Sequence, residues 1–252
     1  MIKRLFQIIA AFITGIVGVV FGVGSGIIMI PTLLFTGIKT KKTAGTSLAI
    51  ITFITLSGTL QHFHMKTFVT SPDNMFLLGA GMLGAIIGSL FLNAIKNKVL
   101  TFLILTYFYI IGVAMIVNPI FINAEFIYQL PPEAFWITGL FVGIISSALG
   151  IGAGAILAPI MIFVFETPAK EAIGIVMPFM FLLSFSSTII NVKNRLIDYG
   201  SFAFAMPAAV AGTLLAYIYF NRIDDIQIQI GIGILLLINA ISITTRSISK
   251  NS

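Results

Sequence analysis

Two glycine-rich segments hold the residue types that could recognise a ligand. Gly22-Val23-Gly24-Ser25-Gly26 precedes Ile27-Ile28-Met29-Ile30-Pro31, and Gly150-Ile151-Gly152-Ala153-Gly154 precedes Ala155-Ile156-Leu157-Ala158-Pro159. The offset is 128 at Gly22/Gly150, Gly24/Gly152, Gly26/Gly154, Pro31/Pro159 and Phe35/Phe163. Glycine tolerates unusual backbone angles and is a poor helix former. Each segment is therefore expected to interrupt an apolar helix and start another. The first N–H groups of a helix lack an intrahelical partner, and its N-terminus carries roughly half a positive charge. Free donors and positive potential together attract anions. The expected ligand contacts are Gly22, Gly24, Ser25 and Gly26 from the first segment, and Gly150, Gly152, Ala153 and Gly154 from the second. Ser25 can add a hydroxyl, whereas Ala153 cannot.

The remaining chemistry fits an anion better than a cation. All eight acidic residues, Asp73, Glu125, Glu133, Glu166, Glu171, Asp198, Asp224 and Asp225, fall in expected loops. No carboxylate is left at mid-membrane for Na⁺ or a proton relay. The polar interior is hydroxyl and amide: Thr46, Ser47, Thr52, Thr55, Ser57, Thr59 and Gln61, then Ser184, Ser186, Ser187, Thr188 and Asn191. Thr46, Ser47 and Ser187 join the expected binding set. His62 and His64 are interfacial histidines or a proton-coupling pair, since histidine titrates near neutral pH. With no Cys there is no disulfide or thiolate zinc site. No metal and no cofactor are expected, and no G-x4-G-K-S/T phosphate loop occurs.

Composition names the solvent. Of 252 residues, 58% are hydrophobic and 9% charged, with mean hydropathy +1.11. A soluble surface needs about 25% charged residues. Apolar runs of about 20 residues recur, the length that crosses about 30 Å of hydrocarbon. The fold class is an all-α polytopic membrane protein with no nucleic-acid partner. The net charge of +6 is read as Lys and Arg gathered on cytoplasmic loops.

The sequence divides into a first repeat at 1–118, an external linker at 119–132 and a second repeat at 133–252. Expected elements in the first repeat are a helix at Leu5–Phe21, a half-helix at Gly26–Thr36, a basic loop with Lys39, Lys41 and Lys42, and spans at Thr46–Phe63, Met75–Ile95 and Val99–Val117. The second has a helix at Ala134–Leu149, a half-helix at Ala155–Phe165, a loop at Glu166–Glu171, and spans at Ala172–Val192, Gly200–Phe220 and Ile226–Thr245. Gly81, Gly84 and Gly88 read as helix-packing glycines. Trp136, Tyr128, Tyr199 and Tyr219 read as interfacial aromatics. If each broken segment is a re-entrant hairpin, Lys3, Arg4, Lys39, Lys41, Lys42, Lys96, Lys98, Lys193, Arg195, Arg246 and Lys250 share the cytoplasmic side with both termini. Lys66, Lys170 and Arg222 face out. If each segment crosses instead, the two sides carry equal numbers. The positive-inside rule favours the hairpin, and three further crossings per half then make the halves an inverted repeat.

The paired G-x-G-x-G-x4-P segments, the loop Lys41-Lys42-Thr43-Ala44-Gly45-Thr46-Ser47 and the stretch Asn194-Arg195-Leu196-Ile197-Asp198-Tyr199 resemble the TauE/SafE sulfite exporter family over nearly the whole chain. The resemblance implies a plasma-membrane secondary transporter, not an enzyme. It also implies a substrate among sulfite, sulfonates and related organosulfur anions. Where family members run glycines together, Ser25 and Ala153 stand in the middle. Rival readings are an anion channel, an assembly subunit, or an intramembrane hydrolase pairing Ser25 with His62 or His64. The letters around Ser25 lack the G-x-S-x-G nucleophile pattern. A prokaryotic origin is the expectation for so compact a chain.

Overall fold

Glycine breaks, proline positions and charged ends set where each helix starts and stops. The computed structural model describes residues 2–23, 26–68, 71–91, 97–119, 131–149 and 153–249. Ten helices lie among them: α1 Ile2–Phe21, α2 Gly26–Phe35, α3 Thr40–His64, α4 Pro72–Phe91, α5 Asn97–Val117, α6 Glu133–Leu149, α7 Gly154–Phe163, α8 Ala169–Lys193, α9 Tyr199–Phe220 and α10 Asp225–Ser249. No strand occurs among the described residues. Helices α1, α3, α8, α9 and α10 are each long and apolar enough to cross a membrane, and α4, α5 and α6 hold shorter apolar stretches.

The repeat appears in the elements. The half-helices α2 and α7 have 10 residues each, start on Gly26 and Gly154, and hold Pro31 and Pro159 at the same position. The long helices α3 and α8 have 25 residues each. Their ends match too: Lys66 and Arg195, at φ 57° and 55°, close the two helices with equivalent backbone bonds, Thr67 to the His62 carbonyl and Leu196 to the Asn191 carbonyl.

Packing follows the same plan. Lipid offers little hydrophobic drive between helices, so close backbone approach at small residues does much of the work. On α1 against α9, Gly15 meets the Ala209 carbonyl and Gly212 meets the Phe12 carbonyl. On α6 against α4, Gly143 meets the Gly81 carbonyl and Gly84 meets the Leu140 carbonyl. These are the same contacts shifted by 128. Helices α3 and α8 pack on each other antiparallel, through Thr52–Thr188 at 2.9 Å and Thr55–Ser184 at 3.4 Å. Gly45 of α3 meets the Leu196 carbonyl after α8, and Gly174 of α8 meets the Thr67 carbonyl after α3. The packing reading of Gly81, Gly84 and Gly88 matches their contacts with Phe179, Leu140 and Ile144.

Each half-helix returns to the start of the helix before it. Gln7 Nε2 donates to Thr36 Oγ1 at 2.7 Å, and the Phe6 and Phe35 rings lie 5.6 Å apart. In the second half the Phe135 and Phe165 rings lie 4.2 Å apart. One end of the bundle, here the basic end, thus gathers the starts of α1, α3 and α9 and the ends of α2 and α8, with Lys3, Arg4, Lys39, Lys42, Lys193 and Arg195. The other, the acidic end, gathers the starts of α4, α6, α8 and α10, with Asp73, Glu133, Glu171 and Asp225.

Several loop expectations need correction. Asp73, Glu133, Glu171 and Asp225 sit in first helical turns, whereas Asp198 lies in the loop before α9 as expected and caps that helix by accepting from the Ser201 N–H at 3.0 Å. Carboxylates are stabilised at helix starts by free N–H groups and the dipole, so the helices extend over them. Lys41 and Lys42 likewise lie in the first turn of α3, not in a loop. Glu125 and Tyr128 lie outside the described residues.

Candidate functional site

The two breaks meet. Gly22 ends α1 at φ 62°, a left-handed conformation that glycine adopts without strain. Its carbonyl lies against Gly154, where an added Cβ would collide with it and with Met180. Gly154 begins α7, so the start of one half-helix rests on the end of α1 from the other repeat. Ala153 is the N-cap of α7; its carbonyl accepts from Ile156 at 3.1 Å and Leu157 at 2.8 Å. The Gly154 and Ala155 N–H groups fall outside the helix's own ladder. Tyr107 of α5 donates to the Ile156 carbonyl at 3.1 Å and anchors this turn.

At the other half-helix, Gly26 begins α2 beside α3. An added Cβ there would lie 3.8 Å from Ile51 and 4.0 Å from Ser47 Oγ. Ser47 is 1% exposed, and its Oγ has no hydrogen-bond partner among the described residues. A buried hydroxyl left unsatisfied costs about 1–3 kcal/mol, so its place beside a helix start needs a reason.

A cavity of about 190 Å³ lies between α3, α4, α6 and α8 and reaches Ala153 at the α7 start. Its polar wall is Ser146, Ser147, Ser184, Ser186 and Ser187; Leu48, Ile51, Met82, Met180 and Leu183 contribute apolar wall. Hydroxyls that add no charge, next to an electropositive helix start, suit an oxyanion.

The expected site residues divide as follows. Gly22, Gly26, Ser47, Ala153 and Gly154 cluster about the breaks, and Ser187 joins Ala153 in the cavity wall. Gly24, Ser25, Gly150 and Gly152 lie outside the described residues. Thr46 is committed elsewhere: its Oγ1 donates to the Lys42 carbonyl at 2.7 Å and accepts from the Asp198 N–H at 2.8 Å. The two histidines do not form a pair. His62 is fully buried, its Nδ1 2.8 Å from Thr67 Oγ1 and its ring edge-on to Phe220 at 4.9 Å. Its Nε2 makes no hydrogen bond among the described residues. His64 is exposed and bonds Tyr217 at 2.8 Å. Ser146 and Ser147 line the cavity and were passed over by sequence reasoning. Their signal was a serine pair just ahead of the second break. Among the described residues no cluster of His, Cys, Asp or Glu could hold a metal ion.

A helical bundle in which five helices are long and apolar enough to cross a membrane is the architecture of a multi-pass membrane protein. The sulfite exporter TauE/SafE family matches residues 7–243, and the chain belongs to that family. Relatives include the probable membrane transporter protein YunE of Bacillus subtilis, 24% identical over 216 residues covering 76% of this chain and 79% of that protein. YjnA of the same organism bears the same description, at 23% identity over 92% of this chain and 96% of that one. A probable membrane transporter protein of Methanocaldococcus jannaschii is 27% identical over 67% of this chain and 64% of its own. No solved structure matches.

Proposed function

We propose that the protein is a secondary transporter of small anions of the sulfite, sulfonate or related organosulfur class, and not an enzyme. The substrate is held where the starts of α2 and α7 approach one another, by backbone N–H groups together with Ser47, Ser184 and Ser187. The observation that carries this reading is the buried Ser47 Oγ beside Gly26, which has no hydrogen-bond partner among the described residues. A donor kept dry and unsatisfied is available to a ligand oxygen. The other members of the expected set, Gly24, Ser25, Gly150 and Gly152, complete the two breaks.

The halves form an inverted repeat with re-entrant hairpins α1–α2 and α6–α7, and transport proceeds by alternating exposure of the shared site. Antiparallel packing of α3 on α8, the contacts that recur at offset 128, and the return of each half-helix to its starting end support this. The basic end faces the cytoplasm with both termini, following the positive-inside rule.

The test is ligand-dependent thermal stability of the purified protein with sulfite, thiosulfate, taurine and sulfoacetate, with chloride as the reference. Ligand that binds only the folded state raises the melting temperature with concentration. At least one sulfur oxyanion should do so, with Ser47→Ala weakening the effect. No shift from any of the four beyond that of chloride overturns the assignment.

A further inference from the structure

The cavity has a counterpart, and the counterpart is shut. At the repeat offsets, Ala85 of α4 corresponds to Thr213 of α9, and Ser147 of α6 to Val19 of α1. Ser186, Ser187 and Ile190 of α8 correspond to Ser57, Gly58 and Gln61 of α3. The open cavity runs from the middle of α3 and α8 towards the basic end, past Leu48 and Ile190. Its counterpart runs from the same middle towards the acidic end.

There the space is filled. Ser57 Oγ and Thr213 Oγ1 lie 2.7 Å apart, and Gln61 Nε2 donates to Ser57 Oγ at 2.9 Å and to Thr213 Oγ1 at 3.3 Å. Met177 Sδ sits against Gly58, and Val19, Ile54 and Thr213 are buried. On the open side the equivalents make no such cluster: Ala85 has no hydroxyl, Ser186 bonds back to the Leu182 carbonyl, and Ile190 is 56% exposed. The two halves share helix ends and glycine contacts but differ here.

We propose that Ser57, Gln61 and Thr213 are a polar latch across α3 and α9 that closes the acidic-end path in this state, and that the same three groups line that path for the anion when it opens. Gln61 Oε1 is buried without a partner among the described residues. A partly satisfied cluster holds less firmly than a complete one, as a closure that must release requires. In the open state the freed hydroxyls and amide offer donors to a passing oxyanion, as Ser187 does on the opposite side. The inference rests on the carrier reading above.

The chain has no cysteine, so single thiols report accessibility cleanly. Ser187→Cys reports the open cavity, and Ile54→Cys the closed path. Each is labelled in proteoliposomes with a membrane-impermeant maleimide added from one face at a time. With the latch intact, Ser187→Cys reacts from the basic-end face and Ile54→Cys is slow from either. Adding Thr213→Ala should raise Ile54→Cys labelling from the acidic-end face by about tenfold and lower that of Ser187→Cys, since losing buried hydrogen bonds shifts the two-state balance. A rise without the reciprocal fall, or no change in either, overturns the latch and leaves the carrier reading standing. Ser187→Cys reacting equally from both faces overturns the carrier reading itself. Should Thr213→Ala not fold, the pair Ser57→Cys/Thr213→Cys replaces it. Its disulfide should hold Ser187→Cys reactive and Ile54→Cys protected in the presence of substrate anions, with reductant restoring exchange; labelling of Ile54→Cys while the disulfide is intact overturns the latch.

Discussion

Thr55 Oγ1 and Ser184 Oγ face each other at 3.4 Å, and the two residues stand 129 positions apart in the chain. That is the offset relating Gly45 to Gly174 and Lys66 to Arg195. A residue touching its own counterpart marks the point about which the two halves are arranged. Both half-helices begin close to it, Gly26 against Ile51 and Gly154 against Met180, each one helical turn from the central pair.

Ser47→Ala should separate stability from binding. Removing a buried hydroxyl without a partner relieves an unsatisfied group, so the melting temperature in the absence of ligand should hold or rise. Affinity for the sulfur oxyanion should fall by about tenfold, the worth of one hydrogen bond to a charged group. Calorimetry measures affinity and a thermal melt measures stability; a fall in both would make Ser47 a packing residue.

Gly154→Ala should be damaging and Gly79→Ala harmless. The first puts a methyl into the Gly22 backbone, which cannot swing aside as a side chain can; the second meets nothing within 4 Å. Overpacking of this kind costs about 1–3 kcal/mol. Thermal melts of the two variants should differ clearly, and equal melts would show that the breaks do not touch.

Gly45→Ala and Gly174→Ala form a matched pair. Each methyl would strike the loop backbone that follows the opposite long helix, at Leu196 and Thr67. Both should destabilise, by similar amounts within about 1 kcal/mol. A large effect at one and none at the other would argue against equivalent halves.

His62→Ala should cost about 2–4 kcal/mol, as other large-to-small changes in packed interiors do, because it removes a ring seated on Phe220 and takes the imidazole from Thr67, whose hydroxyl keeps only the backbone carbonyl of residue 62. His64→Ala, at an exposed position, should stay within about 0.5 kcal/mol. Equal losses in a thermal melt would refute the difference in burial.

Lys39→Cys and Lys193→Cys should label from the cytoplasmic face of intact cells, and Lys66→Cys and Lys170→Cys from outside. The first pair lies at the basic end and the second at the acidic end. Labelling of Lys39→Cys and Lys193→Cys from opposite faces would break the inverted arrangement.

Much of the bundle follows from local chemistry. A run of apolar residues ended by glycine, proline or charge determines a helix wherever it lies. So α2 and α7 begin on the very glycines the repeat marks out, and α1, α3, α8, α9 and α10 fall within a few residues of their expected spans. The sequence alone also determined the lipid solvent, the family and the 128-residue repeat. Only the tertiary structure decided what each hydroxyl does. Thr46 and Ser47 are neighbours of similar chemistry, yet one is spent tying α3 to Asp198 and the other is buried unpaired beside Gly26. It also decided that Ser186, Ser187 and Ile190 line a cavity while their counterparts include Ser57 and Gln61, which bond with Thr213. The reason is distance along the chain. Helix identity is set by neighbours a few residues away, whereas Thr46 and Asp198, Gln61 and Thr213, and Ser57 and Thr213 lie 152 to 156 positions apart and meet only once glycine-lined backbones have packed.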